Sequence, residues 1–222
     1  MAWQLHDDNG VLISNKSYLI KPTDFDIPFE SEKVHGISTM LASQNGVDIQ
    51  TVLDEFLKDL KSCEYIVGHN LKFDINVVAS ELFRLDIENQ LLNKVVLDTC
   101  TENTANVCKL PGGKSGKFKF PTLVELYENL FKNKFENAHN ASADVEANAM
   151  VFFELIRQKL FDPSLIQDFE NIHTKVSGTF SSQVSTFGIK HINLKAESKK
   201  LKEQNQTCLL YTSDAADDLL CV

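Results

Sequence analysis

Two acidic residues at the start of predicted helices, and one histidine close to the second of them, could carry chemistry. Asp74 follows a short apolar segment, and Asp144 follows His139 after four intervening residues. A carboxylate can bind a divalent cation, and an imidazole can take a proton from water near neutral pH. The simpler interpretation of each acid is that it complements the helix dipole, because acidic residues are common in first helical turns.

The predicted elements around these residues indicate where their side chains lie. Residues 65–67 form a short buried strand that ends at Gly68, and a helix follows over about residues 73–85 with an apolar stripe at helical spacing. A second helix is predicted over about residues 143–160, so Asp144 also opens a helix. Open α/β folds bind ligands at the carboxyl ends of their strands, and this is where we expect Asp74.

The order of the other elements predicts the fold class. Residues 2–7 and 11–20 are predicted as strands joined by a hairpin turn at Asp8-Asn9-Gly10. Helices over about residues 48–60 and 122–131 and a strand at 95–97 follow. Strands first and then alternating helices and strands indicate an α/β fold with a mixed sheet. The apolar pattern decays after Phe161, and we expect a linker there.

Bulk properties narrow the class of partner. The net charge of −9 argues against a nucleic-acid partner. Divalent cations held by carboxylates weaken this objection, because they bring positive charge to a phosphate. No apolar run approaches the roughly 20 residues of a membrane span, and the first residues lack the features of a secretory signal. The sequence therefore predicts a cytoplasmic protein with no membrane partner.

Two motifs carry a resemblance to a known family. Asn70-x-x-Phe73-Asp74 and His139-x-x-x-x-Asp144 resemble the second and third motifs of the DnaQ-like, or DEDDh, 3′→5′ exonucleases. The resemblance extends over about residues 2–160. It implies an RNase H-like mixed sheet flanked by helices.

Other segments resemble one branch of that family more closely. Residues 2–7, 97–101 and 110–113 are most similar to the exonuclease domain at the N-terminus of some bacterial DNA polymerase III α subunits. Residues 188–195 resemble the linker that precedes the polymerase in those proteins. The partners implied are the 3′ end of single-stranded DNA and a polymerase III α region in cis.

The resemblance also implies roles for individual residues. Two divalent ions, Mg²⁺ or Mn²⁺, would be held by four carboxylates. Asp144 matches a direct metal ligand, Asp74 matches a ligand that acts through water, and His139 matches the general base that deprotonates the attacking water. The residues expected to contact the substrate are His35, Gly36, Ile37, Asn70 and Phe73. For residues 35–37 a plain turn before a helix is an equally good interpretation.

The sequence departs from the family at its first motif, Asp-x-Glu at the end of the first strand. That pattern does occur at Asp86/Glu88 and Asp144/Glu146, but at the wrong topological points. Two of the four carboxylates and a central strand are therefore expected to be missing. We expect a truncated exonuclease domain at residues 1–165, a linker toward a missing polymerase region at 166–206, and a sequencing-adapter artefact at 207–222.

Three functions remain open from the sequence. The first is a proofreading 3′→5′ DNA exonuclease whose present chain is inactive. The second is a catalytically dead nucleic-acid-binding or scaffold fragment, and the third is an RNase of the same superfamily. A loop with Lys109, Lys114, Lys117 and Lys119 could contact a DNA backbone or could simply be solvated.

Overall fold

A computed structural model describes residues 1–135 and 141–183. Four strands and eight helices lie in these ranges. They are β1 (Ala2–His6), β2 (Leu12–Ser17), α1 (Phe29–His35), α2 (Thr39–Asn45), α3 (Ile49–Lys61), β3 (Tyr65–Gly68), α4 (Lys72–Arg84), β4 (Val95–Asp98), α5 (Glu102–Cys108), α6 (Leu123–Phe131), α7 (Ala141–Arg157) and α8 (Phe169–Gln183). The predicted α/β class is confirmed.

The first two strands form the predicted antiparallel hairpin. Gly10 adopts a φ of 77° in the turn, and the Asp7 carboxylate accepts the backbone N–H groups of Asn9 and Val11. On one side the Trp3 indole N–H donates to Asp59 of α3 at 2.9 Å. On the other side the His6 ring lies 5.0 Å from the ring of Phe153 on α7. The hairpin therefore contacts helices on both sides.

The second pair of strands is parallel, with Tyr65 beside Val95 and Gly68 beside Asp98. Among the described residues, the hairpin and the β3–β4 pair form two separate two-stranded sheets. A cleft of about 1850 Å³ lies between them, lined by residues 1–8 and 64–69 among others. It occupies the position, between the hairpin and β3, at which the sequence predicts a further strand.

Local sequence explains the helix boundaries that matter for the site. Asp48 caps α3 by accepting the N–H of Gln50, and Ser38 caps α2 by accepting the N–H of Leu41. Thr122 and Glu125 form a reciprocal capping box at the start of α6. Such caps satisfy backbone donors that a helix leaves unpaired at its first turn.

The buried side chains form two clusters. One contains Leu53, Leu57, Leu60, Leu82 and Leu91, which come mainly from α3 and α4. The other is built mainly from α6, α7 and α8, and it includes Leu126, Leu155, Ile156, Val176 and Phe180. Both clusters reach the cleft.

The last helix differs from the sequence prediction. A linker was expected from residue 166, but α8 packs against α7, with Val176 1% and Phe180 2% exposed. The segment is rich in Ser and Thr, but it also contains four apolar residues at helical spacing, namely Phe169, Ile172, Val176 and Phe180. The assignment of residues 1–165 to a domain, 166–206 to a linker and 207–222 to an artefact stays a prediction. Residues 184–222 lie outside the described part of the chain.

Two other helices were not predicted. Helix α1 covers residues for which no element was predicted, and none of its residues is buried. Helix α5 begins with Thr101 and Thr104 in a capping box and buries Ala105 and Cys108. No helix in the described ranges is long and apolar enough to cross a membrane.

Candidate active site

Asp74 lies in the first turn of α4, directly after the loop that follows β3. The residue as a whole is exposed, yet its carboxyl group is partly desolvated by the wall of the cleft. This desolvation, together with the negative charge of Asp98, raises the pKa of Asp74 above its ordinary value. Burial of a carboxyl group and a like charge nearby both disfavour its ionised form.

Asp98, at the end of β4, holds the loop that carries Asp74. Its carboxylate accepts the backbone N–H of Asn70 at 2.8 Å, that of Leu71 at 3.0 Å and that of Cys100 at 2.7 Å. Asn70 has a φ of 60°, in the left-handed region. Three bonds to one ionised acceptor stabilise this uncommon conformation and direct the chain into α4.

His69 and Thr99 connect this loop to the helix that carries Asp144. The Nδ1 atom of His69 lies 2.9 Å from the hydroxyl of Thr99, which is fully buried. The same hydroxyl lies 3.1 Å from the Oδ1 atom of Asn148, one turn after Asp144 on α7. The buried hydroxyl therefore joins the start of α4 to the start of α7.

The other ring nitrogen of His69 faces the carbonyl of Pro121 at 2.9 Å and so carries a hydrogen that it donates. Burial lowers the pKa of His69, and the bond to Pro121 and the charge of Asp98 only partly oppose this effect. The imidazole is thus favoured in its neutral form, as a structural link rather than a surface cation.

Asp144 lies in the first turn of α7 and is half-buried. Asp74 and Asp144 both line the cleft between the two sheets. The two acids that the sequence singled out are therefore brought to one concave surface. His139 lies outside the described residues, and its role as a base stays a prediction.

The residues expected to contact the substrate are distributed around the same cleft. His35, Ile37 and Phe73 line it, and Gly36 lies between the first two. Gly36 ends α1 with a φ of 77°, and the N–H of Ile37 donates to the ring of His35. Phe73 is 71% exposed, one residue before Asp74. Asn70 does not line the cleft, and its backbone N–H donates to Asp98, which anchors the loop.

The described residues do not assemble a metal site. Within residues 1–135 and 141–183, no three His, Cys, Asp or Glu side chains are grouped so that they could hold an ion. Two carboxylates on a cleft can contribute ligands, but two ions need more oxygen ligands than this pair supplies. The residues present therefore do not fit a complete two-ion centre.

Two lysines of the loop at residues 109–119 form ion pairs with glutamates. Lys117 pairs with Glu102 and Lys119 with Glu125, each at 2.8 Å. Both pairs are solvent-exposed, so they hold these side chains only weakly.

Sequence reasoning missed three residues of this site. Asp98 and Thr99 were noted only as part of a family-like segment, and His69 only as a neighbour of Asp74. Apart from Cys100, the partners named above lie 27 to 52 residues away along the chain. The available clue was that polar residues directly follow both buried strands, at the edge where ligands bind.

A family model described as Exonuclease, of the RNase T type, matches residues 4–152. The chain belongs to the RNase T exonuclease family. This confirms the DnaQ-like exonuclease resemblance and identifies the fold as RNase H-like, and members of the family generally use divalent metal ions.

One curated relative is the 3′-5′ exonuclease DinG of Bacillus subtilis (strain 168), which is 30% identical over 151 residues. The match covers 68% of this chain and 15% of the relative. The RNase T family chain thus spans only a small part of that longer protein. The more specific similarity to polymerase III α subunits stays a prediction.

Proposed function

We propose that this chain is the exonuclease module of a 3′→5′ DNA exonuclease that proofreads newly made DNA in the cytoplasm. The observation that carries the proposal is the placement of Asp74 and Asp144, the two motif acids, on one cleft of an exonuclease-family domain. The Bacillus subtilis relative is named a 3′-5′ exonuclease, and this supports the 3′→5′ direction.

The reaction is hydrolysis of the terminal phosphodiester. The oxygen of a water molecule bonds to the phosphorus, and the bond from phosphorus to the 3′ oxygen of the preceding nucleotide breaks. The water proton goes to the imidazole of His139, and the departing oxygen takes a proton from solvent. The products are a 5′-mononucleotide and a strand shortened by one nucleotide.

Asp144 and Asp74 are proposed as ligands of divalent cations, Mg²⁺ or Mn²⁺. Because the described residues do not complete such a site, we further propose that the present chain has little activity on its own.

Several groups are proposed to hold the 3′ end of the strand. Phe73 offers an exposed aromatic ring beside Asp74, and nucleic-acid bases stack readily on such rings. The turn at residues 35–37 forms another part of the cleft wall. The lysines of the 109–119 loop would add salt-dependent attraction to the DNA backbone.

The larger protein is proposed to be a polymerase III α subunit. The segments at residues 97–101, 110–113 and 188–195 support this assignment. Another long exonuclease is the competing context, because the relative that matches is a different protein. The reading frame that follows residue 195 in the genome distinguishes the two, since only the first predicts a polymerase.

The experiment is a nuclease assay with a 5′-labelled single-stranded DNA oligonucleotide in Mg²⁺ and in Mn²⁺. It uses the product of the complete reading frame and, in parallel, the chain alone. Release of 5′-mononucleotides from the 3′ end by the complete product is expected, with at least a 100-fold loss in Asp144→Ala and in His139→Ala. Glu88→Ala, an exposed acid outside the cleft, serves as the matched control and should retain full activity.

Other outcomes assign the other functions. If the complete product binds the oligonucleotide but releases no nucleotide in either metal, the chain is a nucleic-acid-binding module. If it degrades an RNA oligonucleotide faster than DNA of the same sequence, it is an RNase of the same superfamily. An unchanged rate in Asp144→Ala would contradict the proposed active site.

A further inference from the structure

The loop between α5 and α6 differs from the rest of the chain in its charge. Residues 103–124 contain four lysines and no acidic residue, whereas the whole chain has a net charge of −9. Lys109 is solvent-exposed, and so is every residue from Lys114 to Phe120. A basic segment on the surface of an acidic protein attracts an anionic strand to that place on the molecule.

Two phenylalanines alternate with two lysines at the end of this loop. Phe118 is 41% exposed and Phe120 is 55% exposed. Lys117 and Lys119 each pair with a glutamate of a flanking helix at 2.8 Å. The lysine side chains are therefore directed toward the helices, while both rings remain in contact with water. Exposed aromatic rings interleaved with basic residues are typical of surfaces that bind single-stranded nucleic acid.

Backbone contacts hold the loop in a closed shape. The N–H of Lys119 donates to the carbonyl of Leu110 at 3.0 Å, and the N–H of Lys117 donates to that of Lys114 at 3.1 Å. A Cβ atom added to Gly113 would lie 2.2 Å from the carbonyl oxygen of Lys117, so a side chain has no space at this position. The two rings are thus carried by an ordered segment whose ends are joined.

The end of the loop is attached beside the cleft. Pro121 is buried, and its carbonyl accepts a hydrogen bond from Nε2 of His69 at 2.9 Å. The next residue, Thr122, lines the cleft. Because Phe120 is two residues before Thr122, its Cα atom lies within about 7 Å of that wall. A strand whose 3′ end occupies the cleft can therefore reach the rings with the nucleotides that precede its end.

We propose that Phe118 and Phe120 form a stacking site for bases of single-stranded DNA on the 5′ side of the nucleotide held in the cleft. This site rests on the proposed function, which places the 3′ end of the strand in the cleft. Every base has a flat face, so aromatic rings bind single strands with little sequence preference. Lys109 and Lys114 attract the phosphates between these bases. Bases in a duplex are already stacked on both faces, so the site favours a single strand.

The test compares two oligonucleotides that differ only in their bases. The first is a 5′-fluorescein single strand of about 12 nucleotides, a length within the range that such binding sites cover. The second has the same length and keeps the bases of its last two nucleotides, but it is abasic at all other positions. Affinity is measured by fluorescence anisotropy with the full chain, at low salt and in EDTA, so that no strand is hydrolysed. The wild-type chain should bind the abasic strand more weakly.

The decisive variant is Phe118→Ala/Phe120→Ala. It should bind the first strand about 5- to 150-fold more weakly, the factor expected for the loss of one stacked base, and bind the abasic strand as the wild type does. Phe118→Trp/Phe120→Trp retains two aromatic faces and should keep the wild-type affinity for the first strand.

Two further variants control for folding and for general hydrophobicity. Phe120→Ala alone removes the more exposed ring and should lose part of the same factor, even if the double variant is less stable in urea. Phe83→Ala removes a ring that is 86% exposed and lies outside the cleft lining. It is the matched control and should bind both strands with wild-type affinity.

Three results would overturn the stacking site. The first is wild-type affinity of the double alanine variant for the first strand. The second is an equal loss of affinity for both strands, which would mean that the rings support the shape of the loop and do not contact bases. The third is no measurable binding of either strand by the wild-type chain.

The nuclease assay distinguishes failure of this site from failure of the proposed function. If the complete product releases no nucleotide but the double variant shows the base-dependent loss of affinity, the exonuclease function fails and the stacking site stands. If the complete product is an active exonuclease but the double variant binds the first strand as tightly as the wild type, the stacking site fails and the exonuclease function stands.

Discussion

The carboxylate of Asp98 accepts the backbone N–H of Asn70 at 2.8 Å, across 28 positions of sequence. Through this bond the end of one strand fixes the loop that follows its neighbour, and the loop in turn places Asp74 at the head of α4. The position of Asp74, a candidate metal ligand, therefore depends on Asp98, whose carboxylate accepts hydrogen bonds from backbone N–H groups.

Replacement of Asp98 tests this dependence. Asp98→Ala leaves three backbone N–H groups without their acceptor, and bonds to charged groups contribute about 1.5–3 kcal/mol each where they are shielded from water. Because part of this loop is exposed, we expect the free energy of unfolding to fall by about 2–3 kcal/mol in urea titrations. Glu88→Ala should change it by less than about 0.5 kcal/mol. An equal effect of both substitutions would contradict the anchoring role.

The hydroxyl of Thr99 provides a second test. Thr99→Val keeps the volume but removes the hydroxyl that lies between His69 Nδ1 and Asn148 Oδ1. Its single hydrogen can be donated to one of these acceptors at a time, so the substitution leaves one partly buried acceptor without its donor. The expected loss is about 1–3 kcal/mol of unfolding free energy. Thr99→Ser retains the hydroxyl and should recover most of this stability. If Thr99→Ser were no more stable to unfolding than Thr99→Val, packing of the methyl group rather than the hydrogen bonds would account for the loss.

Two phenylalanines on α4 can show whether substrate binding depends on a ring in the cleft or on any exposed aromatic ring. Phe73 lines the cleft and is 71% exposed, and Phe83 lies outside the cleft lining and is 86% exposed. Phe73→Ala should weaken binding of a fluorescent single-stranded oligonucleotide by about 1–3 kcal/mol, and Phe83→Ala should leave it unchanged. Both variants should unfold at the wild-type urea concentration. Equal loss of affinity in the two variants would argue against a role for Phe73 at the 3′ end.

Helix α8 is expected to be part of the folded domain. Phe180→Ala should lower the free energy of unfolding by about 3–5 kcal/mol, because the ring is 2% exposed in the cluster around α7. Phe25→Ala, at a position 63% exposed, is the control and should have little effect. A neutral result at Phe180 would restore the sequence-based expectation that the chain beyond residue 165 is a linker.

Burial of His69 predicts a pH dependence of stability. Its pKa is lowered from 6.5 in the folded protein, so the unfolded chain binds more protons once the pH falls below about 6.5. Stability should therefore decrease as the pH is lowered through this range, by at most about 1.4 kcal/mol per pH unit from this residue. His69→Gln keeps a donor for the carbonyl of Pro121 and cannot titrate. Chemical denaturation at pH 7.5 and 5.5 should show a smaller difference in the variant than in the wild type.

Periodic and capped elements could be predicted from the sequence, and elements that depend on distant partners could not. The hairpin, α3, α4 and α7 were located within about three residues, because alternation, helical spacing and turn residues act locally. Helix α8 was missed because Ser and Thr have low helix propensity, and packing of Val176 and Phe180 outweighs that preference.

The same distinction applies to the candidate site. Asp74 and Asp144 could be recognised because each opens a helix at a motif. Asp98 and Thr99 act through partners on other elements, and the neighbouring sequence does not predict which groups they will contact. His139 as the base, and the contacts of residues 35–37 with substrate, stay predictions.

The division of the hydrophobic interior has a consequence for how the molecule melts. Among the described residues, the α3–α4 cluster and the α6–α8 cluster have no member in common, and the hairpin contacts the first side through Trp3 and the second through His6. Cooperative unfolding requires that the loss of one part destabilise the other. Here that coupling passes through β1 and through β3, whose Ile66 packs against the first cluster and whose Tyr65 and Val67 pack against the second. The unfolding transitions of the two halves therefore need not coincide.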